Sequence, residues 1–292
     1  MSKVRQLYKE DIVVRENLDF GLRGDDIPRF WMNGNPLRTR LFDAVQATFP
    51  DGERYFIKSV RDFRDRIEDQ KLLKEVRDFM RQEGQHGMVH TEYNHRLDRQ
   101  GIRSEAFTRH TKKMEEVRRQ RYSAEYNLAL TAAFEHFTAM MADLFFAEKS
   151  MLAGADERVR AMFAWHAIEE MEHKAVAFDV MQKVAKVGYF KRCVAMTHAT
   201  ASFTLYTVIS PWFMLRMDGY SPSEAMRLYV ENTPWMFGKV LARLLPMIAK
   251  YYRPGFHPTD IPSVHNYNQW VEQYAQDQDP IAAGEAMYAA AS

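Results

Sequence analysis

The sequence predicts an all-α fold, a bundle of long helices, and three observations carry the prediction. Glycine and proline number only 13 and 11 in 292 residues, while good helix formers are plentiful. From residue 51 onward, apolar residues recur with the 3.6-residue period of amphipathic helices. Caps and stops fall where those periodic stretches begin and end: Asp69, Ser123 and Asp156 stand at starts, and Gly101 at an end.

Residues 1–50 carry the turn signals Gly24-Asp25-Asp26-Ile27-Pro28 and Asn33-Gly34-Asn35-Pro36 and read as an irregular arm before a short helix near 37–48. Four helices follow near 51–68, 70–99, 122–151 and 156–186, placing a four-helix bundle in residues 51–190. Residues 191–280 are expected to add apolar helices that pack on this bundle, giving a single domain, and the Ala-rich tail beyond Pro280 reads as loosely held.

Bulk charge excludes some roles. Forty basic residues face 39 acidic ones, so no global field draws the molecule to a phosphate backbone, and no nucleic-acid partner is expected. The one cysteine, Cys193, cannot form an internal disulfide and fits a reducing compartment. The charged start MSKVRQLYKEDIVVRENLDF lacks the apolar core of a secretory signal, which points to a cytoplasmic location.

Two C-terminal stretches are unusually apolar. Cys193 to Leu215 contains no Asp, Glu, Lys or Arg and is long enough to span a bilayer, but His198, several Ser and Thr and Pro211 interrupt it. A helix buried against the bundle is the preferred reading, with membrane association as the alternative. Trp235, Phe237, Val240, Leu241, Leu244, Leu245 and Ile248 form an amphipathic stripe beside Lys239, Arg243 and Lys250. Both stretches are expected to wall a hydrophobic channel toward the bundle core, Pro211 bending or ending its helix and the basic residues staying in water or holding an acidic head group.

The functional signal is a set of ionisable residues on faces that the periodicity assigns to the core. Along the second helix, Leu72, Val76 and Phe79 lead into Glu83, His86 and His90. Along the fourth, Val159 and Phe163 lead into His166, Glu170 and His173, then Ala177 and Val180. Buried carboxylates and imidazoles are tolerated when paired or metal-bound. At ~100° per residue, Glu83 shares a face with His86, and His166, Glu170 and His173 share another. Glu135 lies on the line Leu128, Ala132, Ala139, Ala142, where small residues leave space, and Glu53 aligns with Phe56 and Val60.

Glu53, Glu83, His86, Glu135, Glu170 and His173 thus supply one Glu from each of two helices and Glu-x-x-His from each of the other two. That arrangement resembles the ferritin-like di-iron and di-manganese carboxylate proteins. His166 adds a third imidazole, and the set over roughly residues 50 to 186 resembles the p-aminobenzoate N-oxygenase type of di-iron enzyme. The wider sequence, with Phe49-Pro50-Asp51-Gly52-Glu53-Arg54, Gln82-Glu83-Gly84-Gln85-His86 and Gly255-Phe256-His257-Pro258, is similar to a bacterial family of predicted metal-dependent hydrolases. The resemblance implies a ferritin-like four-helix bundle with additional C-terminal helices.

The competing reading of the seven residues is a metal-free cluster of hydrogen-bonded core side chains. Glu53, near a helix start, could instead complement the dipole, and His166 could support a ligand rather than bind. His90, with Ala132 and Ala139, is placed behind the ligands or on a substrate pocket, and His136 in packing. Glu169 and Glu172 read as solvated or paired neighbours, so that Glu172→Ala spares the metal where His173→Ala loses it. His257 and Asp260 read as shaping their loop.

The leading functional expectation is dioxygen activation at two metal ions, iron first and manganese or a mixed iron/manganese pair as alternatives. Its partners would be dioxygen, an apolar or aromatic small molecule and an electron donor, with peripheral membrane contact and a homodimer also considered. Metal-dependent hydrolysis at the same site and iron binding without turnover are the other readings. No His-Glu-x-x-His or Gly-x-Ser-x-Gly motif offers a hydrolase another centre.

Overall fold

A computed structural model describes residues 12–262 and 264–292. The charged opening stretch that carries the leader and location argument spans residues 1–20, and its first eleven residues, with the beginning of the expected arm, lie outside the described residues. The fold is all-α: among the described residues the β features amount to an isolated bridge between Met32 and Ala155.

Helix α1 (Pro36–Arg61) starts on Asn35, whose side chain accepts from the Arg38 amide, with Pro36 in the first turn. It runs straight through Pro50, merging the two helices expected near 37–48 and 51–68. Proline disfavours the preceding helical residue without forbidding it, and the buried side chains on both sides, Phe42, Ala47, Tyr55 and Phe56, hold the helix together across the missing amide bond. The irregular segment before it is therefore shorter than 1–50.

Helix α2 (Gln70–Arg99) begins on Asp69, which accepts from the Lys71 amide, and ends at Gly101 in the left-handed region at φ 83°. A helix not anticipated from the sequence, α3 (Ser104–Arg121), follows; its only buried apolar residue is Phe107, too thin a stripe to reveal a period. Ser123 caps α4 (Ala124–Phe146), and a short α5 (Lys149–Leu152) leads to α6 (Glu157–His173), capped by Asp156. Beyond His173 the regular helix stops and resumes as α7 (Val176–Asp179) and a π turn over Val180–Val184.

Helices α1, α2, α4 and α6 form the bundle, with α1 against α2 and α4 against α6. Helix α8 (Tyr189–Met217) packs across α1 and α4 and does not stop at Pro211, which is buried within it. No helix among the described residues is long and apolar enough to cross a membrane. An ionic clamp fixes α8 in place: Asp218, just past its end, receives Arg40 of α1 at 2.6 and 2.7 Å, and both side chains are fully buried. Asp43 on the next turn shares the same guanidinium.

Helix α9 (Pro222–Trp235) opens with a capping box between Ser221 and Glu224 and passes through a π turn, Met236–Leu241, into α10 (Ala242–Tyr251). Lys239 and Arg243 pair with Glu148 at the end of α4 rather than waiting for an acidic head group. After α11 (Tyr267–Asp277), residues Pro280–Ala289 form α12. This tail is not loosely held. Ala283 and Met287 are fully buried, and Gly284 lies so close to α6 that an added Cβ would come within 2.5 Å of the Ala161 Cα.

Candidate metal centre

Each bundle helix brings its predicted carboxylate or imidazole to the centre. Glu53, Glu83, His86, Glu135, His166, Glu170 and His173 are all buried. They fall into two groups whose donor atoms lie within 4.8 Å of one another: Glu53, His86 and His166 in one, and Glu83, Glu135, Glu170 and His173 in the other. Two carboxylates reach both groups. Glu170 places one oxygen 2.8 Å from His166 Nε2 and the other 3.4 Å from His173 Nε2. Glu83 Oε1 lies 3.1 Å from His173 Nε2 and 4.0 Å from His86 Nδ1. Both come from Glu-x-x-His turns, so the doubled motif places a carboxylate between two imidazoles.

The orientation of the three imidazoles is fixed from behind. His86 Nε2 faces Glu169 Oε2 at 3.1 Å, His173 Nδ1 faces Gln82 Oε1 at 2.8 Å, and His166 Nδ1 faces His90 Nε2 at 2.6 Å. In each ring the other nitrogen turns toward the carboxylates. An imidazole whose outer nitrogen is held by a hydrogen bond presents a fixed lone pair inward, the arrangement that metal ligation needs.

A further relay backs two of these. Arg15 joins Glu169 at 3.1 Å and Glu172 at 2.9 Å, and Gln82 donates to Glu172 at 2.8 Å. Glu169 and Glu172 are thus paired, and both lie in the support of the imidazoles. Glu172 also touches, through Gln82, the hydrogen bond that holds His173, while lying outside both ligand groups. Arg15 and the role of Gln82 escaped sequence reading, and the partners of Glu169 were not assigned there, because these contacts join residues far apart along the chain.

The electrostatics are those of a site short of positive charge. Burial, and then the neighbouring carboxylates, push Glu53 and Glu83 well above the usual carboxylate range, while burial and Glu170 move Glu135 up to about 7. Burial and adjacent imidazoles hold His86 and His90 well below the usual range, hence neutral. His173 is the exception: although burial opposes it, Glu170, Glu135 and Glu83 raise it well above the usual value. Among the described residues, no well-aligned hydrogen bond is made to either oxygen of Glu53, Glu83 or Glu135, or to His86 Nδ1 or His173 Nε2, although His173 Nε2 comes within 3.1 Å of Glu83. Buried carboxylate oxygens and imidazole nitrogens converge here with a single imidazole, that of His173, raised toward its charged form against four carboxylates, a set that divalent cations would satisfy.

Other expectations resolve differently. His90 stands behind His166 and makes no part of either group, although it lies 3.6 Å from Glu53 Oε1. Ala132 and Ala139 are buried in the core and do not line the cavity described below. His136 packs against Tyr251 and Phe256. His257 and Asp260 cap their own loop, and His257 also meets Asp179 at 3.1 Å.

A cavity of about 650 Å³ leads to the centre between α1, α3, α4 and α8. Its inner end touches Glu53, Thr138 and Glu170, and Phe49 packs there edge-on against His90. The Thr138 hydroxyl bonds Glu170 directly. Phe56, Phe134, Phe137 and Phe203 make most of the walls apolar, and Glu115 and Arg118 are the charged side chains farther out. Helix α8 forms one wall as expected, whereas the stripe from Trp235 to Ile248 does not reach the cavity: Leu244 is buried in the core with Trp235, Val240 and Ile248 packed against it, and Phe237 and Leu245 are exposed.

A family model described as "Predicted metal-dependent hydrolase" matches residues 14–261. No curated protein and no solved structure matches the chain.

Proposed function

The chain belongs to the predicted metal-dependent hydrolase family, and from that premise we propose that it holds two iron ions and uses them to oxidise an apolar organic substrate with dioxygen. In this reading Glu53, His86 and His166 would hold one ion and Glu83, Glu135, Glu170 and His173 the other, Glu83 and Glu170 also lying near the first group. Manganese or a mixed pair would suit the same oxygen-rich donor set. When bound, the metal pair supplies redox chemistry toward dioxygen, with electrons from an external donor.

The observation that carries the proposal is the apolar cavity ending on Glu53, Thr138 and Glu170. Such walls orient a hydrocarbon or aromatic group by shape and exclude water from the reacting end. Thr138 holds one Glu170 oxygen, fixing the carboxylate that faces the substrate, and Phe49 separates the cavity from His90 and His166. Glu169, Gln82 and His90 keep the three imidazoles in place.

The family description favours a second reading, hydrolysis by a metal-activated water at the same residues. Anaerobic loading with ferrous iron, followed by oxygen exposure, separates the two. Stoichiometric oxygen uptake with the Mössbauer spectrum of a coupled iron pair is the expected result. Tight zinc binding with ester or amide cleavage, and no oxygen uptake by the iron form, would replace oxidation with hydrolysis.

A further inference from the structure

The cavity opens on an unusual surface. Leu205, Ile209, Phe213 and Met217 recur every fourth residue along α8, line the cavity, and are 62%, 42%, 54% and 37% exposed. Met114 of α3 stands in the same opening, 38% exposed. A mouth made of exposed large apolar side chains is costly in water and marks a surface that is normally covered.

Charge distinguishes the occupant. Helix α3 carries six Lys or Arg and three Glu. Arg119 turns toward α1, where it meets Asp62 at 2.9 Å. At ~100° per residue, Arg121 points about 160° away from Arg119, to the flank that also carries Met114, while Lys113 lies about 120° from Arg119 on the bordering side, and all three of Lys113, Met114 and Arg121 are exposed. Of the three acidic residues of α3, Glu115 is buried near Asp51, Lys58 and Arg54 of α1, Glu105 pairs with Arg109, and Glu116 is exposed between Lys113 and Arg119, so the flank of Met114 and Arg121 carries no carboxylate of this helix. An apolar stripe bordered by basic side chains is the pattern that seats on an anionic bilayer surface. A second copy of the chain on this face would seal the mouth, whereas a lipid surface leaves it open to apolar solutes.

We propose that the α8 stripe and the basic flank of α3 dock on an anionic membrane surface, so that the cavity takes its ligand, a molecule with a long hydrocarbon portion, directly from the lipid phase. The ligand class rests on the reading that the cavity serves the metal centre; the docking does not, and vesicle binding is measured without turnover.

The test is flotation of the full-length protein with phosphatidylcholine vesicles containing phosphatidylglycerol, and with phosphatidylcholine alone. The wild type is expected to float with the anionic vesicles, with or without prior chelation of metal. The pair Leu205→Asp and Phe213→Asp should reduce binding at least tenfold, and Lys113→Glu with Arg121→Glu should abolish the preference for anionic lipid at unchanged thermal stability. Ser202 of α8 lines the cavity, and transfer of a pyrene-tagged alkyl chain from the vesicles should fall at least tenfold in Ser202→Trp, which fills part of the cavity while leaving flotation intact. Wild-type protein that stays unbound overturns the docking, as does a wild-type dimer that the α8 aspartates split into monomers. Undiminished alkyl transfer in Ser202→Trp overturns the ligand class. Flotation and transfer without oxygen uptake would refute the oxidative reading and leave this one standing.

Discussion

His86 Nε2 lies 3.1 Å from Glu169 Oε2, and the other oxygen of that carboxylate receives Arg15 at 3.1 Å. A fully buried Glu one position before Glu170 therefore belongs to the support of the centre rather than to the solvent. Glu169→Ala should weaken metal binding by ~10–100-fold, the usual cost of losing such a partner, while leaving the fold intact. Chelator competition titrations would measure the loss. An unchanged affinity would mean that His86 is oriented by packing alone.

Asp218 holds α8 onto α1 through a fully buried guanidinium, that of Arg40. Removing one partner leaves part of a buried charge uncompensated, so Asp218→Ala should cost ~3–5 kcal/mol. Asp43 remains bonded to Arg40 and places the outcome toward the lower end. Denaturant midpoints would give the value.

The close approach of α12 to α6 is equally testable. Gly284→Ala would force a methyl group to within 2.7 Å of the Ala161 Cβ, and overpacking of this kind costs ~1–3 kcal/mol. Deleting the segment should destabilise the fold by more than that substitution, because Ala283 and Met287 would leave the core too.

Much of this architecture was legible in the sequence, and the limits have physical causes. Asp69, Ser123 and Asp156 cap helices as their residue types suggest, because a cap is a local device. The imidazoles and carboxylates of the centre stood out because they interrupt apolar stripes, and all seven meet. Pro50 misled, since long-range packing outweighs a local preference. The thin apolar face of α3 hid a helix that walls the cavity. Pairings such as Arg15 with Glu169, or Arg40 with Asp218, join distant segments and leave no periodic trace. The α12 contact depends on a single glycine, which reads as a helix breaker until its neighbour is known.

Glu115 gives a pH signature independent of the metal. Burial, and then Asp51, push its carboxyl up to about 8, well above the 4.5 of a free glutamate. The folded state therefore binds this proton more tightly than the unfolded state. Its contribution to stability is complete below about pH 4.5 and is lost as the pH rises through about 8. Wild-type stability should decline between those values relative to Glu115→Gln, by on the order of a few kcal/mol. Melting both proteins across the range checks the sign; parallel curves would refute it.

The metal count per chain decides the central claim. Purified protein, reconstituted anaerobically with ferrous iron and freed of unbound metal, should contain two ions per chain by elemental analysis. His173→Ala and Glu170→Ala should each lower that number while circular dichroism stays helical. Two ions in the wild type, lost on these substitutions, is the result that the paired groups of Glu53, His86 and His166 and of Glu83, Glu135, Glu170 and His173 predict. A folded wild-type protein that retains one ion or none would contradict it.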